Sequence, residues 1–187
     1  VFVILVILLV LYIVHENYRR DQELMKYAQT DALTGLYNKE TTKLRTDEIL
    51  STDKDMIHAF LILDMDCFKQ INDGYGHAVG DIVLQKFGQL LRDIFREDDI
   101  VGRIGGDEFV VVMKNVKMKE MAIAKAEELL TKTQQYEIKE LNGSAISISI
   151  GIAMAPEDGD CYMDLYKRAD QALYQAKRSG KARVCGY

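Results

Sequence analysis

Hydrophobic residues along the chain form two kinds of pattern, short runs typical of strands and longer helical repeats, and segments of the two kinds alternate. Four short runs rich in apolar and β-branched residues predict strands at residues 58–63, 100–104, 109–113 and 145–153. Three longer stretches with apolar residues on one helical face predict helices at residues 79–95, 118–132 and 163–178. A further helix is expected before the first strand, so from residue 30 onward the predicted order is helix, strand, helix, hairpin, helix, strand, helix. This order favours an α/β (α+β) fold with a single mixed central sheet flanked by helices.

The first fourteen residues are apolar throughout, apart from the hydroxyl of Tyr12. At ~1.5 Å per residue such a helix is roughly 21 Å long, shorter than the ~30 Å hydrocarbon core. We interpret residues 1–14 as the C-terminal part of a longer transmembrane helix, with a buried core helix as the alternative. A signal peptide is disfavoured because no small-residue cleavage site follows the run.

The residues after this run predict an orientation and a domain boundary. Arg19 and Arg20 follow the apolar segment, and the positive-inside bias then places the rest of the chain in the cytoplasm. Residues 15–29 are polar with interspersed apolar positions, which predicts a helical stem that could pair with a second copy. The prediction is one domain over residues 30–187, on the cytoplasmic side of the cell inner membrane.

Charge and cysteine content narrow the classes of partner. The chain has 187 residues, and 24 Lys and Arg against 29 Asp and Glu give a net charge of −5. No basic excess points to DNA or RNA, so an anionic ligand would need a local basic site. The three cysteines, Cys67, Cys161 and Cys185, are too few and too scattered for a disulfide framework or a paired zinc site.

Two pairs of acidic residues lie where strands are predicted to end or turn. Asp64 and Asp66 follow the first strand, and Asp107 and Glu108 occupy the predicted hairpin turn. Carboxylates that converge in this way suit hard divalent cations, although acids are also common in turns. The Gly-Gly step directly before Asp107 favours a cation site with a phosphate ligand over an ordinary acidic turn, because residues without side chains let a phosphate approach the backbone.

Four sequence motifs, in this order along the chain, resemble those of a known family. They are DALTGLYNK at residues 31–39, FKQINDGYGHAVGD at 68–81, RIGGDEF at 103–109 and ADQALYQAKRSGK at 169–181. Together they resemble the GGDEF family of diguanylate cyclases over residue 30 to the end. Lys39 and Lys181 stand where an arginine is usual or common in that family.

The resemblance implies a catalytic metal centre. Asp64, the backbone carbonyl of Met65, Asp107 and Glu108 would hold Mg²⁺ or Mn²⁺ on a nucleoside triphosphate. Asp107 and Glu108, with Lys69, would be the catalytic residues.

The resemblance also implies a GTP site, made of Cys67, Phe68, Lys69, Asn72, Asp81, Gly105, Gly106, Lys177 and Lys181. The three lysines would neutralise the triphosphate, and backbone N–H groups near Cys67 and Phe68 would add donors. Asn72 and Asp81 would recognise guanine, because a carboxylate accepts from its N1–H and amine. A turn asparagine and a helix N-cap aspartate are the alternatives for these two residues.

A third implied site begins at Arg96. In the family an RxxD sequence shortly before the GGDEF motif binds the inhibitory product, and Arg96 and Asp99 have that spacing. The alternative is a solvated charge cluster at a helix end.

The function expected from the resemblance is that of a membrane-anchored diguanylate cyclase. It would condense two GTP into cyclic di-GMP as a homodimer, release two pyrophosphates and be inhibited by its product. One alternative is a catalytically inactive GGDEF domain that binds GTP or cyclic di-GMP and signals through a partner. Another is a related cyclase that makes a different cyclic nucleotide.

Overall fold

The computed structural model describes residues 11–16, 19 and 29–187. Residues 11–16 are helical, and the rest of the predicted membrane segment and most of the predicted stem lie outside the described residues. Within the described part of the chain, no helix has both the length and the apolar character needed to cross a membrane.

Five α-helices, one 3-10 helix (Lys139–Leu141) and five strands form the domain from residue 39 onward. The helices are α1 (Lys39–Thr52), α2 (Phe68–Tyr75), α3 (His77–Ile94), α4 (Lys119–Gln135) and α5 (Tyr162–Arg178). The strands are β1 (His58–Met65), β2 (Ile100–Arg103), β3 (Glu108–Met113), β4 (Ile148–Ala155) and β5 (Val184–Gly186). They form one sheet in the order β2-β3-β1-β4-β5. Of the four strand pairs in this sheet, β4–β5 is parallel and the other three are antiparallel, which confirms the predicted mixed sheet.

The sheet buries side chains on both faces. Along β1, Leu61 and Leu63 belong to the core shared with Phe87 of α3, and Phe60 and Ile62 belong to the core shared with α5. Every residue of β1 and of β4 is buried. This two-sided burial explains why β1 is a continuous apolar run rather than an alternating one.

Helix α5 lies unusually close to β4. A methyl group at Gly151 would collide with the carbonyl oxygen of Ala169 and the backbone of Leu173. Glycine is required at this position because the helix backbone occupies the space of a side chain. The close approach fixes the end of α5, and therefore Lys177, relative to the strand ends.

The structure differs from the predicted elements at three places. Strand β4 begins at Ile148 rather than residue 145, although the carbonyl of Ser147 still accepts the N–H of Asp66 at 2.8 Å in the register of the β1–β4 pairing. The sequence pattern also missed α2, which is 8 residues long and separated from α3 by Gly76 alone. It missed β5, whose 3 residues are too few for a period.

Candidate functional site

The carboxylates of Asp64 and Glu108 come together at one end of the sheet. Antiparallel pairing of β1 with β3 sets Asp64 directly opposite Glu108, which is the first residue of β3. The side chain of Lys177 reaches this end from α5, with its Nζ 2.8 Å from Oδ1 of Asp64. Asp107 is adjacent through the hairpin turn, and its carbonyl accepts the N–H of the buried Met65 at 3.3 Å.

Burial and like charge both act against ionisation here. Burial raises the pKa of Asp64 above its ordinary value, Lys177 opposes this, and Asp107 and Asp66 add to it. Burial also raises the pKa of Glu108, with further contributions from Asp64 and Asp107. One lysine is therefore set against several carboxylates. Oxygen donors crowded in this way fit a hard divalent cation, and the Lys177 ammonium shows that the group already holds one positive charge.

The Gly105-Gly106 turn is held from the other side by a chain of polar contacts. The guanidinium of Arg103 donates to the carbonyl of Gly106 at 2.8 and 3.1 Å and to the carboxylate of Asp31 at 3.0 and 3.2 Å. Although burial acts to raise the pKa of Asp31, hydrogen bonds from Thr34 and Arg103 hold it below its ordinary value. The sequence alone assigned no role to Asp31 or Arg103. Their presence in the motifs at 31–39 and 103–109 was the one sign that they contribute to the site.

A second cluster surrounds the start of α2. Cys67 is the N-cap residue with a left-handed φ of 60°, and the helix begins at Phe68. The N–H of Gln70 donates to the carbonyl of Cys67 at 2.8 Å. The two N–H groups before it, at the start of the helix, have no acceptor in the preceding turn and are available to an anion beside the exposed Lys69. The Nζ of Lys181 lies 3.2 Å from the Sγ of Cys67. The structure therefore brings Cys67, Phe68 and Lys181 together.

The two residues expected to recognise guanine also lie in adjoining helices. Asn72 is inside α2 and Asp81 inside α3, and the Asn72 side chain packs so closely on Gly80 that a methyl group there would collide with it. Helix α3 begins at His77 with Gly76 as its N-cap, so Asp81 lies in the second turn and is exposed. The alternatives of a turn asparagine and an N-cap aspartate are therefore both wrong.

The turn between α3 and β2 contains Arg96 and Asp99. Arg96 is exposed, whereas Asp99 is buried with 8% of its surface accessible. The Oδ2 of Asp99 accepts the N–H of Arg96 and its Oδ1 accepts the N–H of Lys114, both at 3.0 Å. Asp99 thus fastens the turn to the end of β3, a structural role that sequence reasoning did not foresee.

Comparison with known proteins identifies the class. Residues 28–183 match the family model described as "Diguanylate cyclase, GGDEF domain". The chain belongs to this family.

Similar proteins carry several names. The chain is 36% identical over 168 residues to diguanylate cyclase DgcS of Shewanella oneidensis, covering 88% of this chain and 55% of that protein. It is 36% identical to the response regulator PleD of Caulobacter vibrioides, covering 87% and 37%. It is 35% identical to the biofilm architecture maintenance protein MbaA of Vibrio cholerae, covering 92% and 23%. The chain thus spans between about a quarter and just over half of these relatives.

Solved structures share the fold over nearly the whole domain. The coiled coil and GGDEF domain of DgcB from Caulobacter crescentus, in complex with c-di-GMP, aligns with a TM-score of 0.84 at 25% identity, covering 93% of each chain. The GGDEF domain of TpbB (YfiN) from Pseudomonas aeruginosa aligns with a TM-score of 0.78 at 35% identity, covering 84% of this chain and 93% of that one.

Proposed function

We propose that this chain is a diguanylate cyclase that condenses two GTP molecules into cyclic di-GMP. The observation that carries the proposal is the pairing of Asp64 with Glu108 beside the Gly105-Gly106 turn, with Lys177 on Asp64. In each half-reaction a ribose 3′-oxygen forms a bond to the α-phosphorus of the other GTP. The bond to pyrophosphate breaks, and the hydroxyl proton leaves to solvent. Two such steps close the ring and release two pyrophosphates.

The crowded carboxylates supply the metal-binding part of this site. Asp64, the carbonyl of Met65, Asp107 and Glu108 would hold Mg²⁺ or Mn²⁺, since hard cations prefer oxygen donors. A bound divalent cation offsets the negative charge that develops on the phosphate oxygens. The ammonium groups of Lys69, Lys177 and Lys181 and the N–H groups at the start of α2 orient the triphosphate.

Selectivity for GTP follows from Asn72 and Asp81. The exposed carboxylate of Asp81 accepts the N1–H and amine of guanine, whereas adenine has no proton at N1. The adjacent Asn72 carboxamide completes the edge-on recognition of the base.

Two domains are needed for one reaction. One domain binds one GTP, so the attacking hydroxyl arrives on the nucleotide of a second copy, and catalysis requires a homodimer. Bringing two bound nucleotides together converts an encounter in solution into a step within the complex.

Anchoring to the inner membrane belongs to the same proposal. Leu11, Tyr12, Ile13 and Val14 are 48–63% exposed in the helical segment 11–16, so their apolar surface is not covered by the described part of the domain. Lipid would cover it, and Arg19 and Arg20 would keep the GGDEF domain cytoplasmic. Membrane fractionation of the full-length chain, followed by protease treatment of inverted vesicles, tests both points.

Product inhibition at Arg96 and Asp99 completes the proposal. The exposed Arg96 guanidinium would bind guanine or phosphate edges of cyclic di-GMP, next to a turn that Asp99 keeps in shape.

The decisive experiment is product analysis. Incubation with GTP and Mg²⁺, followed by chromatography, should give cyclic di-GMP and two pyrophosphates per product. Binding of GTP without any product at high protein concentration would support the inactive binding module. A mixed cyclic dinucleotide formed only when ATP is added would support the related cyclase.

A further inference from the structure

The loop after α5 carries Lys181 on an unusual backbone. Lys181 and Ala182 have left-handed φ angles of 62° and 49°, which residues other than glycine rarely adopt. The N–H of Lys181 bonds to the carbonyl of Ala176 at 3.1 Å, where the helix ends. An unfavourable backbone persists only where surrounding contacts hold it. Two such contacts come from the residues directly after β1.

Asp66 makes the first contact, with the backbone of the loop. Its Oδ2 accepts the N–H of Ala182 at 3.1 Å. The same buried carboxylate accepts the hydroxyls of Ser147 and Ser149 at 2.7 and 2.8 Å. Three donors therefore satisfy Asp66, which makes it an anchor for the loop rather than a ligand for a metal or substrate.

Cys67 makes the second contact, with the side chain of Lys181. Its Sγ lies 3.2 Å from the lysine Nζ, and Cys67 is itself held at a left-handed φ as the N-cap of α2. The contact with Cys67 raises the pKa of Lys181 above its ordinary value, and Asp66 and Asp64 contribute in the same direction. The 3.2 Å contact thus places the charged ammonium beside the first turn of α2.

We propose that Asp66 and Cys67 are positioning residues that hold the Lys181 ammonium where the phosphates of GTP bind. The proposal rests on the proposed function, which assigns Lys181 to the triphosphate. A free lysine side chain has many rotamers, and ordering it on binding costs conformational entropy. Asp66 fixes the backbone of Lys181 and Cys67 fixes its end, so this cost is met before the nucleotide arrives.

Kinetics of Cys67 variants give the first test. Cys67→Ala should raise the KM for GTP three- to tenfold and change kcat less than twofold, because the thiol acts on binding and not on the reacting atoms. Cys67→Ser keeps a hydrogen-bond acceptor and should restore most of the loss. Cys185→Ala removes a half-buried thiol on β5 and should leave both constants unchanged. An unchanged KM in Cys67→Ala, or no rescue by serine, overturns the proposal.

A double-mutant cycle with Lys181 gives the second test. Calorimetry with 3′-deoxy-GTP measures binding without turnover, because this nucleotide lacks the attacking hydroxyl. Cys67→Ala should weaken its binding three- to tenfold in the natural chain and no further in Lys181→Ala. Equal losses in both backgrounds overturn the positioning role while leaving the proposed function intact. Failure of the unsubstituted protein to bind the nucleotide overturns the proposed function instead.

Asp66→Asn applies the same cycle to the backbone anchor. Asp66→Asn should weaken the binding of 3′-deoxy-GTP in the natural chain and cause no further loss in Lys181→Ala. A loss that persists in Lys181→Ala overturns the role of Asp66. Ser149→Ala is the matched control, since it removes a bond to the other carboxylate oxygen and leaves the Ala182 contact in place. Because substitution of the buried Asp66 can unfold the domain, thermal unfolding is measured first, and the Cys67 variants keep the proposal testable.

Discussion

Carboxylates in two regions of the domain are satisfied in opposite ways. At the ends of β1 and β3, Asp64 and Glu108 face each other, and burial raises the pKa of both. In the turn between α3 and β2, the two oxygens of Asp99 accept backbone N–H groups at 3.0 Å. The first region holds several carboxylates against the single ammonium of Lys177, whereas the second is completed by the chain itself.

This difference separates residues that bind a ligand from residues that build its surroundings. The paired carboxylates of the sheet end are arranged at a cost to folding, which a ligand can offset. Both oxygens of the Asp99 carboxylate are already occupied by its turn, so in the proposed product site the exposed Arg96 would make the contact with the ligand. Substitutions in the two regions should therefore have opposite effects on activity and on stability.

The largest effect is expected at the sheet end. Asp64→Asn or Glu108→Gln should lower kcat by about 10³-fold or more, because a neutral amide keeps the shape but loses the charge that binds the metal. Initial rates of cyclic di-GMP formation measure this. Glu120→Gln, an exposed change on α4, is the control and should retain full activity. Near-normal synthesis by either site variant would remove the metal assignment.

A third carboxylate extends the comparison, because Asp81 is exposed on α3. Asp81→Ala should lower kcat/KM for GTP, because the paired donors of guanine lose a charged acceptor. The loss corresponds to roughly 2–4 kcal/mol of transition-state stabilisation. ATP should not become a good substrate. Asp93→Ala, on the same helix and also exposed, provides the control. Unaltered kinetics in Asp81→Ala would show that the carboxylate does not contact the base.

Arg96 tests the ligand-binding half of the second region. Arg96→Ala should weaken cyclic di-GMP binding by ~1.5–3 kcal/mol, the usual range for a hydrogen bond to a charged group, and should relieve inhibition. Initial velocity should stay close to that of the natural chain. Titration calorimetry beside initial rates, with Lys86→Ala as a charge-matched control, measures both quantities. Equal affinity of Arg96→Ala and the natural chain for cyclic di-GMP would show that Arg96 is a solvated surface residue without a role in binding.

Asp99 tests the structural half of the same region. Asp99→Ala leaves the N–H groups of Arg96 and Lys114 without their acceptor, which should cost about 1–3 kcal/mol of stability. Urea unfolding followed by circular dichroism gives the change. A variant as stable as the natural chain would show that water replaces the carboxylate, and the contrast with the sheet end would then disappear.

The sequence predicted those parts of the fold that rest on local patterns. β1, the hairpin, α3, α4 and α5 all appear near their expected positions, because each has an apolar face or run of its own. Strand β5 has too few residues for a period, and it pairs with β4. Helix α2 does have apolar residues at helical spacing, Phe68, Ile71 and Tyr75, but the Asn-Asp-Gly sequence at 72–74 is typical of a turn.

The same limit applies to the roles of individual acids. Asp64 and Asp66 look equivalent in sequence, since both follow one apolar run. The partners that satisfy Asp66 lie 81, 83 and 116 residues further along the chain. Asp31 likewise meets Arg103 across 72 residues. Motif resemblance proposes the site residues, but the hydrogen-bond partners that distinguish Asp66 from Asp64 are found only in the folded chain.

The smallest expected effect concerns the stability of the metal-free protein. The pKa of Glu108 in the folded state lies above its ordinary value of 4.5, so the folded protein holds this proton more tightly than the unfolded chain. Its contribution to stability is therefore greatest in acid and is lost as the pH rises through the folded pKa. Glu108→Gln should consequently raise Tm at pH 7 and have little effect below about pH 4.

Screening at this half-exposed position limits the gain to below about 1 kcal/mol, or ~2–4 °C in Tm. Thermal unfolding in the presence of a chelator measures it. Glu128→Gln is the control of opposite sign, because hydrogen bonds with Lys132 and Lys125 lower the pKa of Glu128 to about 2. That carboxylate stabilises the fold above its ordinary pKa, so its removal should lower Tm at pH 7. Adding Mg²⁺ should then raise Tm in the natural chain more than in Glu108→Gln. A lower Tm for Glu108→Gln at pH 7 would mean that the sheet end is as well satisfied as the Asp99 turn.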